Sequence, residues 1–418
     1  MNRFALAIFL AVSVSPAGAA ETPSLSPAEL RIEAVHNALQ NEPSRYQSYD
    51  ELAEAFVRRA RETGDKSYYE QAHQAIENSL KLKPDNFEAE QARVDLLLSE
   101  HKFGDALEEA QELNHRMPDA ILVWGYMAES HAALGEYQKA EQAAQWMMDL
   151  RPGNIPAYLT GATLREDWGD IDGAEEFFSK ALQQTPPFET EETAWILTRI
   201  GRLLRRSGRT EDAAAQLQKA LKAFPDYYLS LEELAEVRMA EHRYADAVEL
   251  LEKRNRTFPT PLSQLLAAQA YERSDRPADA AQMYAKFEQD ARTQAGLSDN
   301  YNVDLIAYYV EHAHQPREAL RIARLEMENR HDVWTLDAYA WALYANGQYA
   351  EARLQIQKAL AVGTRDAVLY YHAGAIDRAL GKKEEARLYL RKSLEFNPTS
   401  EVSEAARRAA VESSGSDT

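Results

Sequence analysis

Three features of this 418-residue sequence predict an all-α solenoid of about ten stacked helix pairs. Prolines recur 34 residues apart at Pro84, Pro118, Pro152 and Pro186, and Pro225 and Pro259 repeat the spacing. An alanine holds the same phase for longer: Ala72, Ala106, Ala140, Ala174, Ala213, Ala247, Ala280, Ala319, Ala352 and Ala386 mark ten units. Four residues beyond each alanine stands an apolar residue (Ile76, Ala110, Ala144, Phe178, Leu217, Leu251, Tyr284, Ala323, Ile356, Leu390), so the two share one face of a helix. A unit of this length is one helix–turn–helix that cannot bury its apolar face alone and must stack on its neighbours.

Composition fits a folded, acidic chain. Apolar residues make up 45% and charged residues 27%, a mix that buries surface. Lys plus Arg number 47 against 67 Asp plus Glu, and the net charge of −20 disfavours nucleic acid and anionic membrane as partners. Zero cysteines exclude disulfides, thiolate metal sites and thiol nucleophiles.

In chain order, residues 1–20 read as a secretory signal. Arg3 supplies the positive start, Phe4 to Val14 is an uncharged apolar run, and Ala17 and Ala19 give a small-residue cleavage site. The run is too short to span about 30 Å of hydrocarbon, so no integral membrane anchor is expected. The expectation is an exported protein, periplasmic or secreted, soluble after cleavage. Residues 21–47 form an N-terminal capping segment with a helix from Pro27 to Gln40. Residues 48–400 are the repeat array, and 401–418 a C-terminal capping helix and tail, since end units otherwise expose apolar faces.

Within the array, Gly135, Gly169, Gly208, Gly347 and Gly381 stand five residues before the alanine, where a helix C-terminus favours positive φ. Tyr69, Phe103, Tyr137, Tyr244 and Tyr349 stand three before it. Proline then ends the second helix. The first unit carries three extra residues around Gly64 to Tyr69, and the units near Ala280 and Ala319 lack the closing proline. Alanine spacings of 39 place insertions at Pro186 to Thr193 and around Asp290 to Asn302, where a bend or an extra loop is expected.

This pattern resembles the tetratricopeptide repeat, most closely in Trp124 to Pro152 (Trp124, Gly135, Tyr137, Ala140, Ala144) and Tyr158 to Pro186 (Ala162, Gly169, Ala174, Phe178, Ala181). The resemblance covers roughly residues 48–398. It implies a right-handed solenoid whose first helices line a concave groove, and groove-facing positions two, five, nine, twelve and thirteen of each unit.

That register yields two candidate partner-binding patches. The first is basic: Trp195, Arg202, Arg205 and Arg206, with Arg199 beside them, a positive island suited to carboxylates. The alternative is that these arginines pair with neighbouring acids. The second is aromatic and acidic: Tyr301, Asp304, Tyr308, Glu311, Trp334, Asp337, Trp341, Tyr344 and Tyr371. In this reading Asp304, Asp337 and Tyr371 form one row and Tyr308 and Trp341 another. The alternative is that these rings fill the seams between units. His372 is expected to pack between helices.

No HExxH, GxSxG, GxxxxGK[ST] or GxGxxG motif occurs, so no enzyme activity and no cofactor is expected. Glu311, His312 and His314 lack further convergent ligands for a metal. The expected function is a non-enzymatic scaffold of the cell envelope that binds a protein or peptide in its groove. The alternative is a small-ligand or glycan binder using the aromatic wall.

Overall fold

The computed structural model describes residues 25–256 and 258–414, so the segment read as a secretory signal lies outside the described residues. Helix α1 (Pro27–Asn41) is the N-terminal cap, and its first turn carries a reciprocal Ser26–Glu29 capping box. Ten helix pairs follow among the described residues. Units one to four are α2 (Tyr46–Thr63) with α3 (Ser67–Leu82), α4 (Phe87–Ser99) with α5 (Phe103–Arg116), α6 (Ile121–Ala133) with α7 (Tyr137–Leu150), and α8 (Ile155–Asp167) with α9 (Ile171–Gln184). Units five to seven are α10 (Thr190–Arg206) with α11 (Thr210–Ala223), α12 (Tyr228–Ala240) with α13 (Tyr244–Asn255), and α14 (Pro261–Arg273) with α15 (Pro277–Gln294). Units eight to ten are α16 (Asn302–Glu311) with α17 (Pro316–Glu326), α18 (Val333–Ala345) with α19 (Tyr349–Ala361), and α20 (Ala367–Ala379) with α21 (Lys383–Phe396). Helix α22 (Ser403–Ser414) closes the stack.

The in-phase alanines are all buried, nine of the ten completely. Glycines on first helices do the same work from the other side. A β-carbon at Gly201 would lie 2.7 Å from Leu217, and one at Gly374 would lie 2.7 Å from Leu390. A small residue facing a large one sets the close approach within each pair.

Every first-to-second-helix turn, among the described residues, places one residue at positive φ. Glycine does so at 64, 135, 169, 208, 347 and 381, and His101, His242, Asp275 and His314 do so in the other four units. The turn demands this backbone because the Glu136 amide returns to the His131 carbonyl at 2.7 Å, satisfying an end-of-helix acceptor.

Successive first helices touch each other directly, from α2 to α8, from α10 to α14 and from α16 to α22. The first helices therefore form the concave side. Their contact weakens between α8 and α10 and between α14 and α16, where the two insertions fall. The insertions add length to α10 and α15 and to the loops between units rather than new helices.

Units three to five meet the chain again six units on, while unit one meets the loops entering units five and eight. The turn of unit three meets the loop entering unit nine: the His331 amide donates to the Ala133 carbonyl at 3.0 Å, and the Val333 amide to the Tyr137 hydroxyl at 3.0 Å. The turn of unit four meets the loop entering unit ten, where the Thr364 hydroxyl donates to the Asp167 carbonyl. The turn of unit five meets the loop before α22, with Asn397 donating to the Arg205 carbonyl at 3.3 Å. A seam thus runs between successive superhelical turns and flanks the inner wall.

Candidate functional site

The basic patch comes together on α10 and faces inward. Its guanidinium groups are matched by acids of the same chain. Arg199 donates to Glu166 at 2.5 Å, Arg205 donates to Glu233 at 2.9 Å and lies 2.7 Å from Glu236, and Arg206 reaches Glu166 at 3.3 Å and Asp366 at 3.1 Å. Arg202 is held more loosely, 3.6 Å from Glu233 and 4.0 Å from Glu166, and remains 44% exposed. Glu166 itself is 4% exposed; burial pushes its carboxyl up, yet Arg199, Arg202 and Arg206 outweigh that and hold it at about 2. Trp195 packs edge-on to Phe178 at 6.1 Å with the Arg199 guanidinium 5.5 Å from its ring.

The aromatic residues gather in two clusters. Tyr308 is buried against Tyr284 and His312, at 5.7 and 5.4 Å. Trp341 stacks on Tyr344 at 4.7 Å and on His372 at 4.0 Å, and Tyr371 meets it edge-on at 6.0 Å. Glu311 links the clusters by accepting from the Trp341 indole at 3.1 Å. Asp337 pairs with His372 Nδ1 at 2.9 Å. Burial opposes the charged form of His372, but Asp337, Glu311 and Asp366 prevail and raise its pKa. His372 is 5% exposed and packed between helices. Trp334 stands apart from both clusters and lies under the Arg206 guanidinium at 4.3 Å, so the two patches meet across the seam. Tyr301 likewise sits at the seam, 5.1 Å from the Lys66 ammonium.

The structure adds a line of inner-wall acids. Asp95 on α4, Glu129 on α6 and Asp304 on α16 form no ion pair among the described residues. Glu129 is exposed to solvent, yet the protein crowded around it on the inner wall pushes its carboxyl up to about 7; Asp95 adds to the shift, and Arg199 and Arg330 oppose it. Asp304 is raised to about 6 by burial and then by Glu232, with Arg202 opposing. Glu236 is raised to about 7 by burial, against Arg205. Asp167 is raised to about 7 by burial and by its neighbour Glu166. The register that selects Arg202 also selects Asp95, Glu129 and Glu236, each ninth in its unit. That signal was available in the sequence, diluted there among many surface acids.

Among the described residues no group of His, Asp and Glu is arranged to hold a metal, and no helix is long and apolar enough to cross a membrane.

Family models of the tetratricopeptide repeat match residues 198–258 and 367–400. Curated proteins give no significant match. Among solved structures, the chain is similar to the Cut9–Hcn1 hetero-tetramer of the APC/C, at 15% identity over 92% of this chain and 66% of that chain, with a TM-score of 0.53. It is also similar to the human IFIT1 dimer with PPP-AAAA (14% identity, 88% and 86% covered, TM-score 0.49) and to the type IV pilus biogenesis factor PilW (18%, 49% and 93%, TM-score 0.43). At such identities the Cut9 likeness concerns the fold alone. With the two family matches and the ten stacked helix pairs, the chain is a tetratricopeptide repeat protein.

Proposed function

We propose that this chain is an exported, non-catalytic scaffold of the cell envelope that holds an extended, Lys- and Arg-bearing protein segment along its inner wall. Tetratricopeptide repeats support protein interaction in general. The observation that carries the proposal is the set Asp95, Glu129 and Asp304 on first helices, in no ion pair among the described residues, whose carboxyls are raised by removal from water further than the nearby Arg61, Arg199, Arg330 and Arg202 lower them. A Lys or Arg side chain beside them supplies the missing charge, and the Tyr344, Trp341 and Tyr371 cluster offers apolar area at low entropic cost. The basic patch favours a basic partner too, because Arg199, Arg205 and Arg206 already have acids inside the chain.

The test is a series of unstructured peptides graded from acidic to basic, titrated against residues 21–418 and against the triple variant Asp95→Asn, Glu129→Gln, Asp304→Asn. Basic peptides should bind with affinity that falls with salt, and the triple variant should lose most of it. Equal binding of acidic and basic peptides, or no change in the triple variant, sinks the reading. Export is checked separately by the N-terminus of the native protein, expected near residue 21 by mass spectrometry.

A further inference from the structure

The stack and the seam are held by different forces. Within the array, apolar clusters join consecutive helices: one spans Leu265 to Ile376, another Ala162 to Val237, a third Val35 to Leu96. Among the described residues no such cluster joins residues from both sides of the seam. The seam is made of hydrogen bonds to backbone groups, cation–ring contacts and ion pairs. Arg61 grips Glu191 through two nitrogens at 3.0 and 2.8 Å, Arg58 pairs with Glu189, and Lys66 lies 2.5 Å from Asp299. Arg330 lies over the Phe103 ring at 5.3 Å. Salt does not weaken apolar burial, whereas it screens ion pairs to the extent that solvent reaches them: Arg58–Glu189 and Lys66–Asp299 are partly exposed on both sides, and Arg61 is half exposed against a buried Glu191.

Position matters as much as chemistry. Glu189 and Glu191 belong to the first insertion and Asp299 to the second. The insertions therefore carry the acids that reach the basic residues of α2 and of the α2–α3 turn. They are also the two places where direct contact between first helices weakens. Each insertion combines a latch with a hinge.

We propose that the seam is a lateral gate. It opens by release of Arg58, Arg61, Lys66 and Arg206 from Glu189, Glu191, Asp299 and Asp366, with bending at α8/α10 and α14/α16, while every helix pair stays folded. Closed, it leaves the inner wall reachable from the ends of the superhelix; open, it admits a chain from the side. The use of the gate rests on the proposed binding of a segment at the inner wall, but its opening does not.

Amide hydrogen exchange on the full chain, with no partner present, tests the opening. The His331 and Val333 amides hydrogen-bond across the seam and report on it, whereas amides inside α18 exchange only when the unit unfolds. In low salt the seam amides should exchange at least tenfold faster than those of α18. Raising salt to about 1 M, where screening shortens to about 3 Å, should speed the seam amides severalfold and leave α18 unchanged. Arg61→Glu with Lys66→Glu should act as salt does, and Arg61→Glu with Glu191→Arg should restore slow exchange. Seam amides that exchange with α18, at every salt and in every variant that folds, overturn the gate. The salt series on the unaltered chain decides the matter if the variants do not fold, and a peptide that fails to bind leaves the result standing.

Discussion

Glycine at a first-to-second-helix turn serves two purposes that can be separated. Gly169 and Gly347 have nearly the same backbone, with φ of 71° and 75°. A β-carbon at Gly347 would meet nothing within 4 Å, whereas at Gly169 it would lie 2.3 Å from the backbone nitrogen of Arg365 across the seam. Alanine at either position should lose about 1 to 2 kcal/mol of stability to the left-handed conformation, read by urea denaturation. Gly169→Ala should in addition force the seam apart and release the His331 and Val333 amides; equal exchange in the two variants would show that the unit-four turn does not meet unit ten. Histidine fills the left-handed position at 101, 242 and 314, so the backbone, and not the residue, is what the repeat requires.

At the scale of elements, each helix pair depends on a close approach that a single alanine permits. Ala140 is fully buried in the cluster of Ala144 and Leu164. Ala140→Leu should overpack α7 against its neighbours and lower stability by roughly 1 to 3 kcal/mol in urea denaturation, and an unchanged midpoint would mean the helix register is misassigned. Helix α10 shows an element fixed by charge. Three arginines converge on the buried Glu166, so the arrangement is an internal network that happens to face the inner wall.

The whole molecule carries a net charge of −20, and several carboxyls on its first helices are raised above their ordinary values. Glu129, its carboxyl raised to about 7, binds a proton more tightly folded than unfolded. Its folded form is therefore unpenalised below the ordinary carboxylate range and loses stability as pH rises through about 7. Glu129→Gln should raise the melting temperature at pH 8 and leave it nearly unchanged at pH 4. A gain of equal size at both pH values would show that Glu129 is not held in this environment. A basic segment along the wall should act in the same direction as the substitution.

The sequence by itself determined the unit. A period of 34, the buried alanines and the turn glycines are local requirements of one helix pair and its neighbour, so they stand in the chain at fixed spacing and can be read there. The ninth position, which gathers Asp95, Glu129, Arg202 and Glu236 on one wall, was legible for the same reason. Only the tertiary structure decided which arginines were already matched and that unit three meets unit nine. Arg206 finds Asp366 160 residues away, a pairing that no local pattern encodes. Such contacts depend on the superhelical pitch, the sum of small rotations over six units and two insertions, and a slight change per unit would move every seam residue off its partner.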